Sequence, residues 1–347
     1  MGLLTELVGI PSPTGAADEA ADWLVRQLQE RGVPARRDQS GNVLGEVEPT
    51  SNCPESGDIY LLGHIDTVEG FWPPVLDDGR LHGRGASDAK GPLAAFTAAL
   101  LRARDSSELR RRVTLLAAID EEGASQGARH LAATLPSPAY LVVGEPSGAA
   151  RVVIGYRGNL RCTVRVHAAV HHSSRPEATA AELGVEAWEA IRGLLGDWNG
   201  SRRGFDAVDG HLLEMDTSSD GLRSSARLAV SFRLPNQLTP AQLAEMLQVL
   251  LPRASVEVLS SEQAVALPRT GPLPATFARA IRGLGGDLGW QRRLATSDLN
   301  VVMPIWGCPA VVYGPGNAEL DHTPNESIGL NDFGFATAVL RTVLAQL

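Results

Sequence analysis

The chain has 347 residues and a formal net charge of −9, which is long for one ordinary core and suits two domains. A generally acidic surface argues against nucleic acid or an anionic membrane as partner. Three well-separated cysteines, Cys53, Cys162 and Cys308, form neither a disulfide framework nor a Cys-x-x-Cys zinc site, so a reducing, cytoplasmic setting is expected. The N-terminal MGLLTELVGIPSPTG has no basic segment, and Glu6 interrupts its apolar run, so no signal peptide is expected. Apolar stretches such as PLAAFTAALL are about half a membrane span. Of the 31 basic residues one is a lysine, Lys90.

In chain order, residues 16–31 carry apolar positions at helical spacing, with Thr14-Gly15 before them and Gly32 after. Residues 42–48 and 58–66 read as strands, 91–104 as a helix packed on both faces, and 112–122 and 139–147 as strands that each run into acids. Strands alternating with helices imply an α/β sheet with many parallel neighbours. Near residue 151 the style changes. RVVIGYRGNLRCTVRVHAAV alternates like a half-buried antiparallel strand. A helix over 178–195, a Gly/Asp/Ser-rich loop over 196–224, a strand over 226–235, a helix opened by Thr239-Pro240 and a strand over 255–261 follow. After residue 272 the α/β style returns, with helices at 275–284 and 332–346.

The expected fold is therefore α/β: a main domain with a mixed, mostly parallel sheet flanked by helices, and an inserted smaller α+β domain with an antiparallel sheet. The expected division is 1–154 plus 264–347 for the main domain and 155–263 for the insert.

His64 and Asp66, in LLGHIDTVEG, directly follow an apolar strand. Asp88 in GRGASDAKGP, Glu121-Glu122 in AIDEEGAS, Glu145 in VVGEPSG and His322 in ELDHTPNE also follow strands or lie in glycine-rich turns. In an open α/β sheet the carboxyl ends of the strands form the rim where ligands bind. Two histidines with several carboxylates suit Zn²⁺, Co²⁺ or Mn²⁺ better than Ca²⁺ or an iron–sulfur cluster. Each stretch alone is an ordinary strand end or turn. There is no P-loop.

Taken in order, PSPTG, GHIDTV, GRGASDAKG, DEEGAS, GEPS, HHSSRP, TSD and DHTPNE resemble the acetylornithine deacetylase / succinyl-diaminopimelate desuccinylase group of dinuclear zinc amidohydrolases. That group also includes aminoacylases and carboxypeptidases of the glutamate carboxypeptidase type. The resemblance covers nearly the whole chain and implies two divalent metal ions, zinc first and cobalt as an alternative. His64 and Glu145 would hold one, Glu122 and His322 the other, with Asp88 between them. Asp66 would orient His64 through its second ring nitrogen. Glu121 would be the general base, taking a proton from the attacking water and returning one to the leaving amine. Adjacent residues on a strand point to opposite sides, so a bend or bulge must bring Glu121 and Glu122 to one site.

In the insert, the resemblance implies that His172 donates a hydrogen bond to the developing oxyanion, in several members from the other subunit of a homodimer. Arg157 in GYRGN and Arg233 in SFRLP match arginines that meet a substrate carboxylate, and Thr296 in ATSD matches a substrate-side hydroxyl. One departure is SDGLRSSARLAV, which lacks the Asn-x-x-Pro segment common before the strand that ends in the arginine.

Length and the TSDLNVV segment are most similar to the branch that releases lysine or ornithine from a small acidic amino-group carrier protein by cutting an isopeptide bond to its C-terminal glutamate. Arg110-Arg111-Arg112, Arg202-Arg203 and Arg292-Arg293 are candidates for a docking patch. The alternatives are an N-acetylornithine-type deacetylase or aminoacylase acting on small acyl-amino acids, and a binding homologue that has lost the chemistry.

Overall fold

The segment Ile59–His64 is buried at every position, as a strand covered on both faces must be. The computed structural model describes residues 2–51 and 55–347; Cys53 lies outside them. From the N-terminus the chain forms α1 (Gly2–Val8), α2 (Asp18–Glu30), β1 (Ala35–Arg37), β2 (Val43–Val47), β3 (Ile59–His64), β4 (Val75–Asp77), β5 (Arg80–His82), α3 (Lys90–Asp105), β6 (Val113–Ala118), α4 (Gln126–Thr134), β7 (Tyr140–Gly144) and β8 (Arg151–Tyr156). It continues through β9 (Gly158–Ala169), α5 (Ala180–Asn199), β10 (Asp209–Ser219), β11 (Arg223–Leu234), α6 (Pro240–Leu250), β12 (Ser255–Glu262) and β13 (Val265–Ala266). The last stretch is α7 (Pro272–Gly283), β14 (Gly289–Arg293), α8 (Asp298–Trp306), β15 (Ala310–Val312), β16 (Ser327–Gly329) and α9 (Leu330–Gln346).

The chain divides into two compact units. One comprises residues through Ile154, Leu267–Gln291 and Val301–Leu347; the other comprises Gly155–Ala266 and Arg292–Asn300. Residues 292–300 thus stand with the second unit, although the sequence style groups them with the first. The Arg157 N–H donates to Arg293 O at 3.2 Å, and the Asn300 amide donates to Arg157 O and Gln263 O.

In the first unit the strands run in the order β1-β2-β6-β3-β7-β15-β8. The four central strands are parallel, and β1, β2 and β8 are antiparallel to their neighbours. Continuous apolar runs in β3, β6 and β7 fit this double-sided burial. Helix α3 packs on β3, β6, β7 and α9. A Cβ on Gly144 would fall 2.7 Å from the Phe96 ring, so glycine lets α3 approach β7 just before Glu145. Parallel strands share a carboxyl rim. His64 ends β3 on that rim, Glu121-Glu122 follow β6, and Glu145 follows β7. A small antiparallel sheet, β16-β5-β4, lies in the same unit.

The second unit is a four-stranded antiparallel sheet ordered β10-β11-β9-β12. Its chain order β-α-β-β-α-β is that of a split βαβ fold. Helices α5 and α6 pack on the sheet around Ile191, Leu228, Phe232 and Leu243. Both helices open with capping boxes, Thr179 with Glu182 and Thr239 with Gln242. Two sequence expectations need correction here. The loop expected over 196–224 contains β10, an edge strand so exposed that it carries no apolar alternation. The single strand expected over 151–170 is two, β8 and β9, separated by Arg157; the end of β8 pairs with β13 instead.

Candidate metal centre

At the end of β3, His64 donates from Nδ1 to the main-chain oxygen of Asp66 at 3.0 Å. That contact fixes the ring and turns Nε2 to within 3.2 Å of Asp88 Oδ1. Glu121 Oε2 lies 4.0 Å from the same nitrogen. The other oxygen of Asp88, Oδ2, is 3.2 Å from His322 Nε2, and Glu122 Oε1 is 2.9 Å from that nitrogen. Asp88 therefore shows one oxygen to each imidazole. Ligand atoms of His64, Asp88 and Glu122 all lie within 4.8 Å of one another. Glu145 is buried on the rim of the adjacent strand but is not a member of that closest group.

The way Glu121 and Glu122 reach one site is local. Strand β6 stops at Ala118, and Asp120 takes a left-handed backbone, φ 65°. The Glu121 N–H donates to Asp66 Oδ1 at 3.1 Å, and the Glu122 N–H donates to Asp66 Oδ2 at 3.2 Å. Thr14 Oγ1 also donates to Oδ2, at 2.9 Å. The required bend is a turn closed on the Asp66 carboxylate. The Asp66 carbonyl oxygen holds the His64 ring through Nδ1, and the Asp66 carboxylate, 3.7 Å from that nitrogen, also holds the backbone of the two acids.

Charge is concentrated here. Burial opposes a proton on His64, but Asp66, Asp88 and Glu121 outweigh it and hold the pKa well above the ordinary imidazole value. Asp88 and Glu122 raise His322 to about 10. Burial pushes Asp88 up, yet the two histidines win and hold its carboxyl below the usual range. Such a set binds a cation in one of two ways, as protons on the imidazoles or as metal in their place. Imidazole nitrogens and carboxylate oxygens fit Zn²⁺, Co²⁺ or Mn²⁺.

Four supporting residues gave no sequence signal of their own. Thr14 lies in PSPTG and Glu326 in DHTPNE. Glu326 and Arg84 form a buried pair at 2.7 Å. Lys90 is 1% exposed and donates from Nζ to Ile10 O at 2.5 Å. Burial pulls its pKa down to about 7 against the pull of Glu326 and Asp66. None of them is marked by periodicity or by a ligand-type cluster.

In the second unit, Arg233 Nη1 donates to Thr296 Oγ1 at 3.1 Å, so two of the three expected substrate contacts stand together. Burial, with Arg157 and Arg161 nearby, lowers the Arg233 pKa. Arg157 is placed differently from Arg233. Its side chain is buried, and its guanidinium donates to Asp209 at 2.7 Å, to Arg233 O at 2.8 Å and to Gly204 O at 3.3 Å. These contacts of Nη1 and Nη2 all lie within the unit, while the buried Nε has no hydrogen-bond partner among the described residues. His172 is exposed after β9, and its Nδ1 accepts the Ser174 N–H at 3.2 Å, which leaves Nε2–H as the outward donor. Of the arginine clusters, Arg110 and Arg111 share the carboxylate of Glu55 and Arg112 pairs with Asp58, so two of the three charges are offset locally. Among the described residues no helix is long and apolar enough to cross a membrane.

A parallel-centred sheet with histidines and carboxylates on its rim, joined to a split βαβ unit, defines the class of metal-dependent peptidases and deacylases. The chain belongs to peptidase family M20/M25/M40, whose model matches residues 60–346. A relative from Deinococcus radiodurans, named LysW-lysine hydrolase, is 35% identical over 353 residues, covering 99% of this chain and 96% of its own. One from Sulfurisphaera tokodaii, named LysW-lysine/LysW-ornithine hydrolase, is 29% identical, with 99% and 94% covered. A tripeptidase from Staphylococcus aureus shares the fold with a TM-score of 0.82 at 18% identity, covering 100% of this chain and 98% of its own. A dinuclear metal-binding peptidase of this family from Bacillus subtilis has a TM-score of 0.73 at 14% identity, with 99% and 96% covered.

Proposed function

We propose that this protein is a metal-dependent hydrolase that cuts the amide bond linking lysine or ornithine to an amino-group carrier protein. The observation that carries the hydrolytic part is Asp88, whose two carboxylate oxygens face His64 and His322. Full-length identity to relatives named for LysW-linked substrates supports the carrier. We assign His64, Asp88, Glu122, Glu145 and His322 to two divalent ions, zinc by preference and cobalt as an alternative. When bound, such a pair supplies Lewis acidity, making water more acidic and an amide carbonyl more electrophilic.

The chain's own residues do the rest. Glu121, beside His64, takes a proton from the attacking water and delivers one to the leaving amine nitrogen. Asp66 holds the Glu121 backbone through that transfer. His172 is assigned to the developing oxyanion through its Nε2–H, and Arg233 with Thr296 to a substrate carboxylate. A cytoplasmic homodimer is part of the same reading.

The test is a substrate panel on chelator-stripped protein, with and without added Zn²⁺ or Co²⁺. Carrier-linked lysine or ornithine turned over well, and N-acetylornithine poorly, is the expected result. The reverse preference makes it a small-molecule deacetylase. Full turnover in chelator overturns the metal requirement.

A further inference from the structure

We infer that Glu326 is a positioning residue for the carboxylate of Asp88, tying the segment that carries Asp88 to the segment that carries His322. This rests on the metal-centre reading above and adds to it a residue outside the ligand set.

The geometry is specific. One oxygen of Glu326, Oε1, accepts the main-chain N–H of Ser87 and that of Asp88, each at 3.0 Å. The other, Oε2, accepts from Arg84 Nη1 at 2.7 Å. Glu326 is 1% exposed and Arg84 7%. The Gly83 N–H donates to Glu326 O at 3.2 Å, and directly after Glu326 strand β16 pairs with β5. Residues 83–88 are thus fastened at both ends to one residue, which lies only a few positions beyond His322. A carboxylate buried this deeply is costly unless its oxygens are satisfied; here each oxygen has a partner, and two of the donors are the main-chain amides of Ser87 and Asp88. Shifting the main chain at Asp88 would break those contacts, so the position from which its carboxylate reaches His64 and His322 is held.

Arg84 extends the connection outward. Its Nε donates to Gly70 O at 3.3 Å, and its guanidinium lies 5.0 Å from the centre of the Trp72 ring. Outer groups of this kind set the orientation of ligands they never replace.

The test uses full-length protein stripped with chelator and titrated with Co²⁺, read by calorimetry and by visible absorption of the bound ion. Two variants are compared, Glu326→Gln and Glu326→Asp. The first turns an amide NH₂ toward either Arg84 or the amide pair. The second keeps the charge but shortens the reach by one methylene. For a variant that keeps the wild-type circular dichroism, Co²⁺ affinity at one site or both is expected to fall about 10–100-fold, with an altered cobalt spectrum. Wild-type affinity and spectrum in a folded variant overturn the inference. So does failure of both variants to fold, which would assign Glu326 to the fold alone. If wild-type protein itself takes up no Co²⁺, the metal-centre reading fails first, and the two failures are told apart by that control.

Discussion

The carboxylate of Asp66 accepts the backbone N–H of Glu121 at 3.1 Å. A residue beside one candidate ligand, His64, therefore shapes the turn that carries the candidate base. Asp66→Asn should break this arrangement, because an amide NH₂ facing a main-chain N–H is a donor meeting a donor. Turnover or metal affinity should fall about 10–100-fold, as for other groups that support ligands. Unfolding should become easier by about 1–3 kcal/mol, the cost of an unmade buried hydrogen bond. Steady-state kinetics and denaturant melts check both; unchanged kinetics would mean the turn is held without Asp66, by bonds such as the Ser125 N–H donating to Asp120 O.

Glu121→Gln removes the proton acceptor while keeping size and hydrogen-bonding shape. Bound metal should stay at the wild-type level, because Glu121 is not assigned as a ligand. Turnover should drop by about 10²–10⁴-fold, the usual range for a general base. Metal analysis beside kcat separates the outcomes. Metal lost along with activity would move Glu121 into the ligand set.

The two imidazoles make metal uptake pH-dependent. Asp88 and Glu122 hold the proton of His322 up to about pH 10, against an ordinary 6.5, and His64 is shifted the same way. A metal ion must displace those protons. Zinc affinity should therefore climb with pH from about 6.5 to 10, and binding at pH 8 should release protons. Calorimetry in buffers of different ionisation heat reads that release directly. The metal-free protein has the opposite trend. The raised His322 pKa contributes stability that is complete below about pH 6.5 and is lost as the pH passes through about 10. Thermal melts of stripped protein across that range check the sign.

The sequence was informative where side chains do chemistry or alternate in burial, and silent where backbone and buried partners do the work. Ile59–His64 and Val113–Ala118 are buried throughout and mostly apolar because both faces are covered, and such runs read directly as strands leading to candidate ligands. Asp209–Ser219 is an edge strand with little burial, so nothing in its residues separates it from a loop. Residues 292–300 join the second unit through Asn300 and Arg293 contacts, which leave no periodic trace. Glu326 was visible as part of a motif but not as a partner of Asp88, since the two are 238 positions apart in sequence.

Arg157 and Arg233 carried the same expectation in sequence, each matching an arginine that meets a substrate carboxylate. The structure separates them. Arg157 is 1% exposed and bound to Asp209, Gly204 O and Arg233 O, whereas Arg233 is half-buried with Thr296 as its side-chain partner. Arg157→Met should destabilise the protein by about 1–3 kcal/mol, as three hydrogen bonds go and their acceptors are left behind. The half-exposed Asp209 limits the ionic share. KM measured well below the melting point should stay within about twofold. Arg233→Met should do the reverse, raising KM about tenfold or more through loss of a charged contact while the melting temperature hardly moves. The pair of variants is decisive because each serves as the control for the other. If Arg157→Met raises KM with stability intact, the buried fork opens to substrate after all, and the assignment of Arg157 to the fold is wrong.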